Sequence, residues 1–580
     1  MPKKRATARS PLTKRASARS PVVWLRALES IRQTYGAAAE QRKLALLRAL
    51  ERARLRSPRA VHRLHEALCF LRAYPDGPAL LAQVERMLDS FAQRADLRTH
   101  AEALQDSGIA GTPIVYSFFT STAQWLAERW PDRLTVEWRD VEKADLLERA
   151  LHLLVLDAEV PAIDEWSFPL EEWIDRLKGP TETAASFLIR RLGALNATAE
   201  IRQLLFEEIG LSIRLAPGPD TPSRTHARLP VRRIHWQRAP LSGARPDLCT
   251  DVQRPPRSVR PVSRAEGQRL IDRAREAMVT RSRDLDVFAY GDAADVRLVD
   301  CGDGLAFAVI GAIPERRLLL EAVYGFLTLK NGVPVGYVLN SALYGSAEIA
   351  YNVFDTYRGA EAAPIYGRVL ATVRHLFGAD TFTIYPYQLG GQGNDEGLAS
   401  GAWWFYQKLG FRARDAEVLA LMNDELARIR RSPKHRSSLA TLRVLGEQNV
   451  YLHCARRRED VIGILPLANI GLAVAARMAR RFGADRERAR ATSLREAAAR
   501  LGVRAFRERT AGERLAWDRW APLVAILPGV ERWSVSEKRA LVEVIRAKGG
   551  RRESEFVRRF DAHAPLRRAI RQLARRYQPD

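Results

Sequence analysis

Apolar positions change their period along the chain, and the changes divide it into regions. Residues 23–33 (VWLRALESIRQ) and 79–91 (ALLAQVERMLDSF) carry apolar side chains every three or four positions, the mark of a helix with one buried face. That period persists through 22–215, punctuated by Pro-Asp-Gly at 75–77 and Gly-Pro at 179–180, and predicts a helical domain with one extended patch at 112–119. Between 216 and 261 there are nine prolines and little periodicity, so 216–262 reads as a linker.

From residue 263 the pattern shifts. Ser263 and Glu266 form a capping-box spacing that opens a helix through Leu270, Ile271, Ala274 and Met278. The segments 294–301, 305–313, 318–329 and 333–339 then read as successive strands. Asn331-Gly332 makes the last junction a tight hairpin, because both residues tolerate positive φ. A further strand is expected at 346–354, a one-sided helix at 364–377 and a strand at 381–387. A glycine-rich loop at 388–397 and an aromatic helix follow. Beyond 423 the chain is helical and arginine-rich. Ser493-x-x-Glu496 reads as a second capping box, opening either a helix-turn-helix or an ordinary helical hairpin over 493–503.

Composition bounds these elements. A chain of 580 residues exceeds one core and predicts about three to four domains, and 46% apolar content with 12 Trp suffices to fill them. The net charge of +25 is uneven, with seven Lys/Arg and no acid in 1–21 and a net +18 over 431–580, which leaves the middle near neutral. Basic ends suit non-specific contact with nucleic acid, and equally suit an arginine-rich proteome whose surfaces drift basic. The tail repeats KRATARSP and KRASARSP, has almost nothing to bury, and is expected to be disordered.

Cys69, Cys249, Cys301 and Cys454 lie in no paired spacing, which predicts no disulfide framework and fits a reducing cytoplasm. The longest uncharged run, 461–476, is 16 residues with an internal Pro466, and reads as buried helix rather than membrane anchor. His62, His65 and Cys69 share a helix face beside Glu66, but no partner cluster accompanies them, so they read as packing and no metal is expected. Neither a Walker loop nor a dinucleotide fingerprint nor a nucleophile elbow is present.

Residues 400–412, SGAWWFYQKLGFR, place Tyr-x-x-x-Gly-Phe at the end of an aromatic helix. Together with the order of elements over about 263–414, this resembles the GNAT family of N-acetyltransferases. The resemblance implies a mixed β-sheet whose central strand splays from the next one. It also implies that acetyl-coenzyme A or another acyl-coenzyme A is the co-substrate, and that the acceptor is an amine, on a small molecule or a protein lysine. The family's pyrophosphate loop, Arg/Gln-x-x-Gly-x-Gly/Ala, falls on Arg358, Gly359, Ala360, Glu361, Ala362 and Ala363, with Glu361 where the family has glycine. Helix-start amides and the helix dipole would favour the anion there. The main chain near Tyr351 and Val353 would align the pantetheine. Tyr406 matches the family tyrosine that protonates the leaving thiolate, and Ala399 stands where an asparagine is frequent. Glu348 lies where many members carry the general base, with Asp355 and Glu321 as alternatives; Asp395 and Glu396 in the glycine-rich loop could receive a cationic acceptor.

The resulting expectation is a multidomain α plus α/β protein. It has a basic tail (1–21), a helical domain (22–215), a Pro-rich linker (216–262), a central GNAT-like mixed-sheet domain (263–422) and a basic helical domain (423–580). The corresponding function is acyl-coenzyme A-dependent N-acyl transfer. The alternative is a catalytically inactive scaffold of the same fold, associated with nucleic acid through its basic ends.

Overall fold

The chain, described here from a computed structural model, is mixed helix and sheet over residues 20–359, 361–503 and 510–576. Most of the basic tail lies outside the described residues, and so does Ala360.

The N-terminal region is mainly helical. Its third helix, called α1 here (Pro58–Ala73), is capped by Ser57, whose side chain accepts from the Ala60 N–H, and it buries nearly every residue from Leu64 onward. The extended patch proves to be one strand of three: β1 (Ile114–Tyr116), β2 (Leu134–Val136) and β3 (Ile213–Leu215) form a small antiparallel sheet with β3 in the middle.

The second sheet has nine strands. They are β4 (Ser258–Pro261), β5 (Gly291–Gly302), β6 (Leu305–Ala312), β7 (Ala322–Lys330), β8 (Val333–Leu343), β9 (Ser346–Val353), β10 (Thr381–Ile384), β11 (Arg412–Ala413) and β12 (Val450–His453). Their order is β11-β12-β10-β9-β8-β7-β6-β5-β4, antiparallel throughout except where β9 and β10 run parallel. The sheet thus reaches past residue 422, because β12 inserts between β10 and β11.

Alternation along the strands makes two apolar faces. Ala308, Ile310, Leu327, Leu329 and Tyr337 pack beneath α2 (Arg264–Val279), α3 (Asp286–Ala289) and the end of α1. Ser263 caps α2 by accepting from the Glu266 N–H, but the Glu266 carboxylate turns to Arg260 rather than completing the box. The opposite face, with Phe307, Val309, Phe326, Val338 and Ile349, packs beneath α4 (Ala362–Phe377) and the late helix α7 (Glu553–Ala562). The α7 start is locked to the sheet, for Glu553 N donates to Asp295 Oδ2 at 3.1 Å and Ser554 N to the Tyr324 hydroxyl at 2.8 Å.

The hairpin at Asn331-Gly332 forms as expected, with φ of 49° and 81°. It is not at the surface: Asn331 is buried and its amide donates to the Ala73 and His235 carbonyls at 2.9 and 3.1 Å.

Four expectations are corrected. Cys249 and Cys454 form a disulfide across 205 residues, with Cα atoms 4.9 Å apart, although sequence spacing offers no hint of the pair. The strand expected at 381–387 stops at Ile384, since Pro386 removes a ladder donor and starts a short helix. The run 461–476 is not a buried helix: a helix begins only at Ala468 and Ile470 is its one buried residue. Ser493 is no N-cap either, for it lies buried within a helix spanning Arg486–Leu501 whose cap is Asp485. Among the described residues no helix is long and apolar enough to cross a membrane.

Candidate active site

The candidate residues gather where β9 loses its neighbour. β10 pairs with β9 only from Ser346↔Thr381 to Glu348↔Thr383, and β10 ends one residue later. Residues 349–353 continue to pair with β8 on one side, while their other edge has left the ladder. Such an edge presents main-chain N–H and C=O groups to whatever enters the gap.

Glu348 faces the α2 side of the sheet. It lies directly opposite Ser341, as Ala350 lies opposite Leu339 and Asn352 opposite Tyr337, and Leu339 and Tyr337 belong to that side's core. Burial pushes its carboxyl up to about 7, and the nearby Glu321 charge adds to the rise, while a hydrogen bond from the Ser341 hydroxyl opposes it. A carboxyl titrating near neutrality suits general-base work. Of the alternatives, Glu321 thus acts on Glu348 by like charge, whereas Asp355 is exposed and paired with Arg358 at 2.7 Å.

Tyr406 approaches from the other face. It lies on α6 (Ala402–Lys408), 3% exposed, and its ring meets Tyr366 of α4 at 5.6 Å and Phe411 at 5.6 Å. Burial raises its phenol well above the ordinary tyrosine range and the Glu348 charge raises it further, while a main-chain hydrogen bond from Tyr351 works against both. Tyr351 stands on the unpaired edge, so phenol and carboxylate bracket the same short length of β9. The apolar wall includes Phe405 and Trp403 as well as Tyr366, which sequence periodicity marks only as a position within a helix.

The loop from β9 into α4 is arranged differently from the expectation for a bare anion cradle. The side chain of Tyr351 donates to the Ala362 carbonyl at 3.1 Å, which ties the helix start to the strand. Val353 ends the strand, and its carbonyl accepts from Arg358 Nε at 3.2 Å. Arg358 also pairs with Glu396 of α5 (Asp395–Ser400), so its charge is already engaged. Gly359 takes a φ of +80°, the left-handed region that favours glycine, and turns the chain toward the helix. Glu361 is the N-cap residue, and its carboxylate binds Lys330 Nζ at 2.7 Å. The first intrahelical bond runs from Ile365 N to Glu361 O, so the Ala362 and Ala363 amides precede the ladder and Pro364 has none. Two helix-start amides beside a neutralised carboxylate fit an anionic group.

Asp395 and Glu396, expected in a glycine-rich loop, instead open helix α5 and form no open cation receptor. Glu396 is held by Arg283 at 3.0 Å as well as by Arg358, and Asp395 lies 3.6 Å from Arg443. The histidine–cysteine face of α1 is likewise committed, with His65 Nε2 2.9 Å from Thr225 Oγ1 and Cys69 in contact with His65. Among the described residues no cluster of three or more metal-ligating side chains is found.

No family model matches the chain, and neither a curated protein nor a solved structure matches it.

Proposed function

We propose that this protein is an acyl-coenzyme A-dependent N-acyltransferase acting on an amine. One observation carries the reading: a carboxyl titrating near 7 and a buried phenol flank the unpaired edge of β9 from opposite faces of the sheet. Transfer to an amine needs a proton removed from the acceptor nitrogen and a proton returned to the departing sulfur. Two groups on two sides of one gap serve those ends without competing. Glu348 takes the nitrogen proton on the α2 side. Tyr406 donates its O–H proton on the α4 side, where burial keeps the phenol protonated until a basic thiolate forms beside it. Acetyl-coenzyme A, or a longer acyl-coenzyme A, supplies the acyl group as a thioester when bound. The free edge from Tyr351 to Val353 would align its pantetheine arm, and the Ala362 and Ala363 amides would hold its diphosphate, with Lys330 offsetting the Glu361 charge.

A second reading keeps the architecture without turnover. The rings of Tyr351, Tyr366, Phe405 and Tyr406 contact one another beside the gap, and a fold used only as a scaffold would retain just such packing. Basic surfaces would then carry the function through nucleic acid, with a strong salt dependence.

Isothermal titration of the full chain with acetyl- and longer acyl-coenzyme A tests the first reading, followed by a thiol-release assay with an amine panel. Saturable heat and thiol release that Tyr406→Phe slows support it. Absence of heat with every thioester rejects it in favour of the scaffold.

A further inference from the structure

A polar opening lies off the proposed reaction centre, at the far end of the same strand. It is a cleft of about 220 Å³ between α1, the loop at Asp106, the linker, the end of α2 and the end of β9. Four guanidinium groups reach it, from Arg224, Arg281, Arg283 and Arg358. They come from segments far apart in sequence, which only the assembled fold brings together.

Three of the four have carboxylate partners. Arg224 binds Glu66 at 2.8 Å, Arg283 binds Glu396, and Arg358 binds Glu396 and Asp355. Asp106 also lines the opening. Arg281 is different. Its Nη1 bonds only neutral groups of its own segment, the Ala277 carbonyl at 2.8 Å and the Thr280 hydroxyl at 3.3 Å. Its guanidinium lies over the Phe354 ring at 3.6 Å, and its Nε is buried with no hydrogen-bond partner among the described residues. Desolvation, then the Arg224 charge, lower its pKa to about 9, and the weaker opposing influence of Tyr357 and Glu66 offsets them only in part. A planar cation fixed on an aromatic ring, with donors to spare, is the usual receptor for a phosphate oxygen. The room suffices for several waters at about 30 Å³ each, and so for a phosphate or diphosphate group.

Strand parity locates the cleft relative to the chemistry. Asn352 lines it and shares a face with Glu348, four residues back along β9, which is about 13 Å at the usual rise per residue. Resting on the acyl-transfer reading, we infer that this cleft binds a phosphate or diphosphate group carried by the amine acceptor, about 13 Å from the nitrogen that reacts. The acceptor is thus an anionic, phosphate-bearing amine.

Calorimetry with inorganic pyrophosphate on the full chain tests the site independently of turnover. Saturable heat is expected, weakened about tenfold or more in Arg281→Gln or Arg283→Gln and unchanged in Arg430→Gln, an exposed arginine elsewhere. Thermal melting confirms that each variant folds; Arg283 is the less buried of the two sites and serves if Arg281→Gln does not fold. No heat in the unaltered protein, or heat that both folded variants retain, overturns the site. A parallel titration with coenzyme A separates the sources. Coenzyme A binding unchanged in the variant that loses pyrophosphate supports a phosphate on the acceptor, whereas loss of both overturns that assignment and gives the anion to the cofactor. If the unaltered protein takes pyrophosphate but no coenzyme A, the acyl-transfer reading fails while the anion site stands.

Discussion

The Glu361 carboxylate and the Lys330 ammonium meet at 2.7 Å between the start of a helix and the end of a strand, with the Lys330 side chain 3% exposed. The pair explains how an acidic residue is tolerated at this helix start, since the charge nearest the helix amides is neutralised from beneath.

Breaking that pair should be costly on one side only. Lys330→Met leaves a partly buried carboxylate without its cation and is expected to destabilise the protein by about 3 kcal/mol in urea unfolding. Adding Glu361→Met should recover most of the loss, because two apolar groups replace the ion pair. An additive double variant would show that the two side chains do not depend on each other.

Glu348 should write itself into the pH dependence. Its pKa is near 7 in the folded chain against an ordinary 4.5, so the native state retains a proton that the unfolded chain releases. Stability therefore falls as pH rises from about 4.5 through 7 and stays lower above, by roughly 3 kcal/mol. Glu348→Gln should flatten that slope, and any acyl transfer should rise with pH through about 7 in the unaltered protein alone. A stability curve from pH 4 to 9 for both proteins is the measurement; identical slopes would contradict the burial of this carboxyl.

Tyr406→Phe removes one oxygen from a packed cluster. Acyl transfer should slow by about a hundredfold, the scale of losing a general acid. Stability should change by only about 1 kcal/mol, the worth of one buried hydrogen bond. Full activity in the phenylalanine variant would leave the tyrosine a packing role.

The Cys249–Cys454 bridge ties the linker before β4 to the end of β12. Cys454→Ser should lower stability by about 2 to 4 kcal/mol, and dithiothreitol should do the same to the unaltered chain but nothing further to the variant. Quantifying free thiols under denaturing conditions would also count the bridge directly.

How much of this was legible depended on length and on locality. The helix opened by Ser263, the Asn331-Gly332 turn and the strand and helix around 346–377 were all readable, because each signal lies within a few residues of the structure it specifies. Strands β1 to β3 have three residues each and β12 four, too few for a period to emerge. Glu348 and Tyr406 were named from the sequence, but not that they flank β9 from opposite faces, since parity sorts residues into two rows without saying which neighbour covers each. Lys330, Arg281 and the cysteine pair were invisible for a further reason. Their partners lie 31, 73 and 205 residues away, respectively Glu361, Phe354 and the second half of the bridge, and no local pattern encodes such meetings. Ser493 misled because a capping spacing also occurs by chance inside a longer helix.

The helix that begins at Glu553 closes one face of a sheet whose first strands were made about 250 residues earlier. During synthesis α4 can cover part of that face early, whereas the part beneath the later helix, around Tyr324 and Tyr344, stays unshielded until residues 553–562 have left the ribosome. Translation of this protein should lean on holdase chaperones through that interval, and shortened nascent chains ending before residue 553 should be the ones that aggregate.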